Sequence, residues 1–496
     1  METPLKDPKL PSMVSGALVP LKPKQKRRLY EPLVLYKALT EIAQARGLLR
    51  RPQLPEKPST EEQRFHRFVH RLANVCDNTK GGKTVTSFAV LDHETKFVYV
   101  FACNQVCEPV LASMHAFICR LLAKLCGFDL LESDSQLAVK DELLSMILGF
   151  NRPRLDVYLR DFKTQLGNCL EYCQRETSSK DLISYNRLLD ALAVFLTPKN
   201  KRYIDDRALK GRIRDGKSYE CWSELRHVLT RLRIYGQVVQ NLIDAEREWP
   251  EIFQEVEVIQ LSSSKAESNP LGKKSETAHA IIGRMGAEEH KKERYHGFAQ
   301  ELQGMQLDDR IRKKCSAPSF KPFVHSEILV LEWVMANSSR LGLRFFHDFK
   351  YIGSSKGACK LCYNYFDTPG QHGGIRTRPS HGNLYIKWRF PDLFEADGAQ
   401  GRARRQEIYN HMTKRIRDDA FEAMENKDFT GKRHDSSTHP LMSVRQTDVQ
   451  TDLGAPEMFD MDDLGEQLET GLSLGGSTTP DSLEDSDDEE GGISLT

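Results

Sequence analysis

Two short stretches decide the reading of this chain: Val324-His325-Ser326-Glu327 and, thirty-odd residues later, Gly357-Ala358-Cys359-Lys360-Leu361-Cys362. One imidazole, one carboxylate two positions on and a Cys-x-x-Cys pair are the parts needed to hold a zinc ion and activate a water on it. Zinc prefers four tetrahedral ligands, and a catalytic site takes three from the protein. His325, Cys359 and Cys362 supply three. The two cysteines stand at i and i+3, so on a helical turn both sulfurs lie on one side. At a helix start they also feel the positive end of the backbone dipole, which favours thiolate. Glu327 need not touch the metal, because a carboxylate beside the activated water can take its proton and hand it on. Residues at i and i+2 diverge inside a helix. His325 and Glu327 therefore share a site only if a helix starts at about His325. Pro318, Ser319 and Pro322 precede that point, and Ile328 to Met335 then reads as a largely buried helix.

The order H-x-E, then P-C-x-x-C, is the signature of zinc deaminases. With His325-Ser326-Glu327, Gly353-Ser354-Ser355-Lys356 and Cys359/Cys362, the chain resembles that superfamily, most closely a fungal branch related to bacterial toxin-type deaminases. The likeness covers about Phe323 to Phe390. It departs at Ala358, where a proline is usual; that proline shapes the turn and is not a ligand. The resemblance implies zinc on His325, Cys359 and Cys362, with Glu327 as proton shuttle. It also implies an α/β fold, a three-layer helix/sheet/helix domain with both metal-binding segments at helix starts on one sheet edge. An asparagine soon after the second strand often contacts the substrate sugar in such enzymes. Asn104 is placed in that role, and Ser355 and Lys356 join it as candidate substrate-binding residues.

The surrounding sequence fits this frame. Leu343 to Ile352 is aromatic and ends in Gly-Ser-Ser, so it reads as a strand. A helix from Cys359 stops near Pro369-Gly370. Asn383 to Phe390 alternates, with Ile386, Trp388 and Phe390 on one face, and reads as another strand. Arg402 to Met424 is a charged amphipathic helix. No hairpin lies just before His325. The best one is distant: Thr84–Leu91 and Lys96–Ala102, joined by Asp92-His93-Glu94-Thr95. The expectation is that it supplies the first two strands of the same sheet, with some 200 helical residues inserted between.

Along the 496 residues, 1–58 reads as a disordered, basic, proline-rich leader with a short helix at about Leu33–Ala45. Residues 59–260 form a mostly helical region around the hairpin at about 84–102, including a periodic stretch at Ile183–Leu196. Residues 261–278 are a polar linker, 279–430 the zinc deaminase-like domain, and 431–496 a disordered acidic tail. Net charge is only +1, but no Lys or Arg follows Arg445 while 15 Asp and Glu do. The preceding body thus carries 71 basic against 55 acidic residues. A basic body with an acidic tail fits nucleic-acid contact, self-shielding or plain solubility. Eleven cysteines scattered through a long chain argue for reduced thiols, hence cytoplasm or nucleus. Lys22 to Arg28 is either a nuclear import signal or a basic arm. No run of roughly 18 apolar residues predicts a membrane span.

Several features have plainer readings. Gly81-Gly82-Lys83-Thr84 resembles a phosphate loop, but Asp77 stands where its first glycine belongs and a strand follows, so it is a turn. His66 and His70 sit among Arg64, Arg67 and Arg71, which disfavour a further cation. From Arg376 to Arg417 ten Lys or Arg face four acids around Tyr385 and Trp388; this is either a surface for bases and phosphates or a core tryptophan with solvated arginines. For function, two classes stand: a zinc-dependent hydrolytic deaminase of a nucleobase in a nucleotide or single-stranded nucleic acid, or a non-catalytic interaction protein braced by a closed zinc site. The second would draw a fourth ligand from Cys315, His347, His372 or His381. In either class, the helical region and tails are where protein partners would dock.

Overall fold

The computed structural model describes residues 16–45, 60–175, 204, 220–272, 276–286 and 289–425. The acidic tail, the first 15 residues and the Ile183–Leu196 stretch lie outside the described residues.

A single mixed sheet organises everything else. The hairpin β1 (Thr86–His93) and β2 (Lys96–Cys103) pairs in antiparallel register from Thr86 opposite Cys103 to His93 opposite Lys96. β3 (Val256–Leu261) runs parallel to β2 on its outer side. On the other side of β1 lie β4 (Arg344–Phe345) and β5 (Tyr351–Ser354), both antiparallel to it, and β6 (Arg376–Thr377) follows parallel to β5. The order is β3-β2-β1-β5-β6, with β4 also on β1. The distant hairpin therefore does belong to the sheet that carries the zinc-type motif.

Both faces of the hairpin are apolar, as a central strand pair requires. Ala89, Leu91, Val98, Val100 and Ala102 pack into one core, and Phe88, Val90, Tyr99, Phe101 and Cys103 into another. The first core is closed by helices α1 (Pro23–Ala45), α7 (Ala278–Arg284), α8 (Glu289–Glu301), α9 (Leu307–Ser316), α10 (Ser326–Leu341), α11 (Lys360–Phe366) and α12 (Gly398–Glu425). The second is closed by α2 (Glu61–Cys76), α3 (Glu108–Leu125), α4 (Ser133–Phe150) and α6 (Glu220–Glu248), with α5 (Arg152–Arg175) against α6. Three layers result, helices on sheet on helices.

The structure also revises several expected element boundaries. Within the 1–58 leader the helix expected at about Leu33–Ala45 is present but starts ten residues earlier, at Pro23: α1 buries Leu29, Leu33, Val34, Leu39 and Ile42 in the first core and packs on α12. Lys26 and Arg27 of the basic run are tied to Glu267 and to Glu31 and Glu276. The 261–278 linker is packed in its described part, where the Glu267 amide donates to the Pro322 carbonyl and the Val324 amide to Ser264 Oγ. As expected of the hairpin, 86–103 joins 344–377 in one sheet, so residues 59–260 and 279–430 share it. Finally, the 343–352 strand is broken by a one-turn helix at Phe346–Asp348, where His347 and Asp348 take positive φ, and 383–390 forms only a bridge, Trp388 with Phe323. Trp388 is core, fully buried against Tyr365 and Phe390.

Among the described residues one helix, α3, is long and apolar enough to cross a membrane. Its apolar residues Leu111, Met114, Phe117, Ile118, Leu121, Leu122 and Leu125 are buried in the second core, so the composition is explained by packing.

α2 lies so close to β5 that only glycine fits at Gly353. A Cβ there would sit 2.6 Å from Val69 Cγ1 and 3.1 Å from the His70 amide nitrogen. Gly353→Ala is expected to lower stability by about 1–3 kcal/mol through overpacking, read as an earlier urea midpoint at unchanged m-value.

Candidate metal centre

α10 begins where the sequence requires. Pro322 and the Phe323–Trp388 bridge hold the chain extended; the Phe323 amide donates to Lys387 O at 2.8 Å and the Arg389 amide to Phe323 O at 3.0 Å. His325 is the N-cap in β conformation, and Ser326 is the first helical residue. The imidazole thus leaves the helix end sideways while Glu327 rises from the first turn on the same side. Cys359 is the N-cap of α11, with Sγ accepting the Cys362 amide at 3.4 Å. Both metal-type segments therefore start helices, whose exposed amides and dipoles stabilise negative charge on sulfur.

The ends of these helices converge. His325 Nδ1 lies 3.6 Å from Cys359 Sγ and 3.4 Å from Cys362 Sγ. All three donor atoms fall within 4.8 Å of one another, and all three residues are buried. Zn–N near 2.1 Å and Zn–S near 2.3 Å at a tetrahedral angle put N and S about 3.6 Å apart. The donor set and its spacing thus fit zinc.

The electrostatics suit the same occupant. Burial pushes the Cys359 thiol up, but hydrogen bonding with Cys362 and the charge of His325 outweigh it and hold this thiol well below its ordinary value. Burial and the neighbouring Cys359 and Glu327 push the Cys362 thiol well up. Without a cation the pair keeps a proton between the sulfurs; a divalent ion removes the reason for it. Burial raises the Glu327 carboxyl, opposed by His325 and reinforced by Cys359. The Cys362 side chain acts on Glu327 to oppose that rise, and Ser326 Oγ lies 3.4 Å from its Oε2.

The other expected residues are placed by bonds within the chain. Asn104 does reach the site from the end of β2. Its Oδ1 accepts the Ser326 amide at 2.8 Å, and its Nδ2 donates to Gly82 O at 2.9 Å. It caps α10 and so sets where the helix carrying Glu327 begins. Ser355 Oγ donates to Asp77 at 3.2 Å and receives the Thr86 amide at 3.3 Å, bonds internal to the sheet. Lys356 is buried with Nζ donating to Gly81 O at 3.0 Å. The proposed fourth ligands lie elsewhere. Cys315 is in the first core, His347 pairs with Glu61, His372 contacts Arg404, and His381 Nδ1 accepts the Asn383 amide. Among the described residues nothing joins the group of three.

Two residues escaped sequence reading. Asp77, the residue that spoils the phosphate-loop pattern, is a buried carboxylate accepting Thr84 Oγ1 at 2.6 Å and Ser355 Oγ. Its countercharge is Arg154 of α5, 2.8 Å away and almost equally buried. No local pattern announces such a pair, because its members are 77 residues apart in the numbering of this chain. Through it a helix of the insertion braces the loop that leads to Cys359. Arg154→Met strands the Asp77 charge and is expected to cost about 3 kcal/mol. Adding Asp77→Asn is expected to recover part of that in denaturant unfolding, as coupling between contacting residues requires.

With this geometry in place, comparison with known proteins is direct. Residues 324–392 match the family model for OTT_1508-like deaminases. No curated protein and no solved structure matches the chain. His325, Glu327, Cys359 and Cys362 all fall inside the matched span, whereas β1, β2, β3 and most of the helices fall outside it.

Proposed function

We propose that the chain is a zinc-dependent hydrolytic deaminase acting on an amino-bearing nucleobase. The chain carries a span matching a deaminase family model and, within it, a buried His-Cys-Cys group. The observation that carries the finer reading is the meeting of three metal donors with the buried Glu327 carboxylate, which interacts electrostatically with all three. A purely structural site has no use for Glu327 and takes a fourth protein ligand, and the four alternatives are engaged elsewhere.

His325, Cys359 and Cys362 would hold the zinc, whose Lewis acidity makes a water acidic enough to supply hydroxide near neutral pH. Glu327 is placed to carry one proton of the attacking water to the ring nitrogen and then the second to the departing amine. One water is consumed, the exocyclic C–N bond breaks, a C–O bond forms in its place, and ammonia leaves. Asn104 fixes the position of Glu327 through the first amide of α10, and Phe323 and Tyr385, with rings 5.1 and 6.3 Å from that of His325, screen the imidazole.

The test is a panel of nucleosides, nucleotides and single-stranded oligonucleotides incubated with zinc-loaded protein and read by mass spectrometry for a gain of about 1 Da, the exchange of amine for oxygen. Turnover of a base supports the reading. A zinc site closed by four protein donors and no turnover anywhere would replace it with a structural role.

A further inference from the structure

The metal centre leaves unused a cationic cluster in which Arg71 is buried and Arg67 and Arg378 are half-buried. Arg71 lies on the inner side of α2, 4% exposed, and its Nε and Nη1 have no hydrogen-bond partner. Arg378, from the loop after β6, joins it: Nη1 is 3.2 Å from His70 Nδ1 and 3.4 Å from Ser355 O. Arg67 is one helical turn before Arg71 on the same face. Burial, then the charges of Arg378 and Arg67, push the Arg71 guanidinium down to about 9, and burial takes Arg378 down to about 10. The one carboxylate acting on Arg67 is Asp244 of α6; for Arg71 and Arg378 none acts. Buried charges are ordinarily paired, so the orphaned Arg71 guanidinium, with half-buried Arg378 anchored beside His70 and no acid on either, makes a site that suits an anion.

The cluster is fastened to the metal-type loop. Arg378 and Asn74 both donate to the carbonyl of Ser355, four residues before Cys359. Two residues after Arg378, Ser380 bridges Ala358, and the His381 amide donates to Ala358 O at 3.2 Å. An anion held there sits at the base of the loop that presents both sulfurs.

We infer that Arg71 and Arg378 form the seat for the phosphate of a mononucleotide substrate. The inference rests on the deaminase reading and narrows its substrate class. Guanidinium groups bind phosphate oxygens in charge-assisted pairs. Enclosure favours a small terminal phosphate over a polymer backbone, which needs an exposed track of cations. Much of the Arg376–Arg417 basic group is already engaged by acids: Arg376 is paired with Glu62, Arg389 with Asp392, Arg404 with Glu332 and Arg415 with Asp367. Trp388, the ring on which a base would stack, is fully buried.

The experiment is thermal-shift and calorimetric titration of the zinc-loaded full chain. The probes are inorganic phosphate, 5′-nucleoside monophosphates, the matching nucleosides, and a short single-stranded oligonucleotide without terminal phosphates. Phosphate and monophosphates are expected to raise the melting temperature saturably, with nucleosides at least tenfold weaker. Arg378→Met is expected to weaken phosphate at least tenfold, and Arg378→Lys to restore part of that. Arg71→Met is expected to melt higher than wild type without phosphate, because an uncompensated buried charge is removed, and to lose the phosphate-induced rise. A purely structural Arg71 would instead melt lower and keep that rise, which overturns the proposal. So does wild type indifferent to phosphate, or tight oligonucleotide binding unaffected by either variant. Because the readout is binding, phosphate affinity that survives in Cys362→Ala while no base is ever deaminated would sink the deaminase reading and leave the anion site standing.

Discussion

Glu327→Gln is expected to reduce turnover by about 10²–10⁴-fold, the range for loss of a positioned proton carrier, while zinc content stays at that of the wild type. The substitution keeps the shape and the polar contact with Ser326 Oγ. It removes only the capacity to take and return a proton. The sign of its effect on stability is also fixed. Burial raises the folded-state carboxyl, so in the metal-free protein the favourable contribution exists at low pH and vanishes as pH climbs through the raised value. At neutral pH the buried charge is therefore a cost, and the amide is expected to melt no lower than wild type. Loss of zinc together with activity in Glu327→Gln would show a ligand or folding role and contradict the assignment. Matched metal analysis, melting curves and single-turnover rates decide it.

The second large effect belongs to the sulfurs. Cys362→Ala is expected to leave zinc below one per chain at any practical free zinc, with turnover at background. Second-layer partners of metal ligands typically cost 10- to 100-fold in affinity, and removing a ligand itself should exceed about 100-fold. Metal affinity adds directly to apparent stability, because the assembled site exists only in the folded chain. Chelator-treated wild type should then melt with Cys362→Ala, and added zinc should raise only the wild type. Alanine in the buried Cys362 position leaves a small cavity, so a modest drop that zinc does not alter belongs to packing. Equal zinc response in both proteins would contradict the ligand assignment.

How much of this was legible beforehand follows from the kind of signal each element leaves. The His-x-Glu spacing demanded a helix start at His325, and α10 begins at Ser326. Alternation over 84–102 gave the hairpin, and its membership in the motif's sheet followed from the resemblance, as did Asn104 near the site. Alternation failed at 383–390 because it reports which side chains are inward, and an extended chain bridged at one point satisfies that as well as a strand does. Trp388 is indeed inward; there is no ladder. At 343–352 the aromatic content was right for a buried segment, but positive φ at His347 and Asp348 is not written in those residue types. The prolines of 1–58 argue against a helix only where they fall in its interior, so the helix expected at Leu33–Ala45 extends back to Pro23. Pro23 opens α1, where a missing amide costs nothing, and although Pro32 lies inside, Leu29, Leu33 and Leu39 bury enough surface to hold the helix. Arg67 and Arg71 were readable as a basic face of α2, but that Arg378 would arrive beside them, with no acid, depended on a loop 300 residues later.

The central claim is that one imidazole and two thiolates hold a zinc ion whose fourth position is open to water. Zinc-edge X-ray absorption of the purified protein tests it most directly. The account predicts one zinc per chain with two sulfur neighbours, one imidazole nitrogen and one light atom exchangeable with solvent or displaced by a small anion. A metal-free protein, or a first shell closed by four groups of the chain itself, would contradict it.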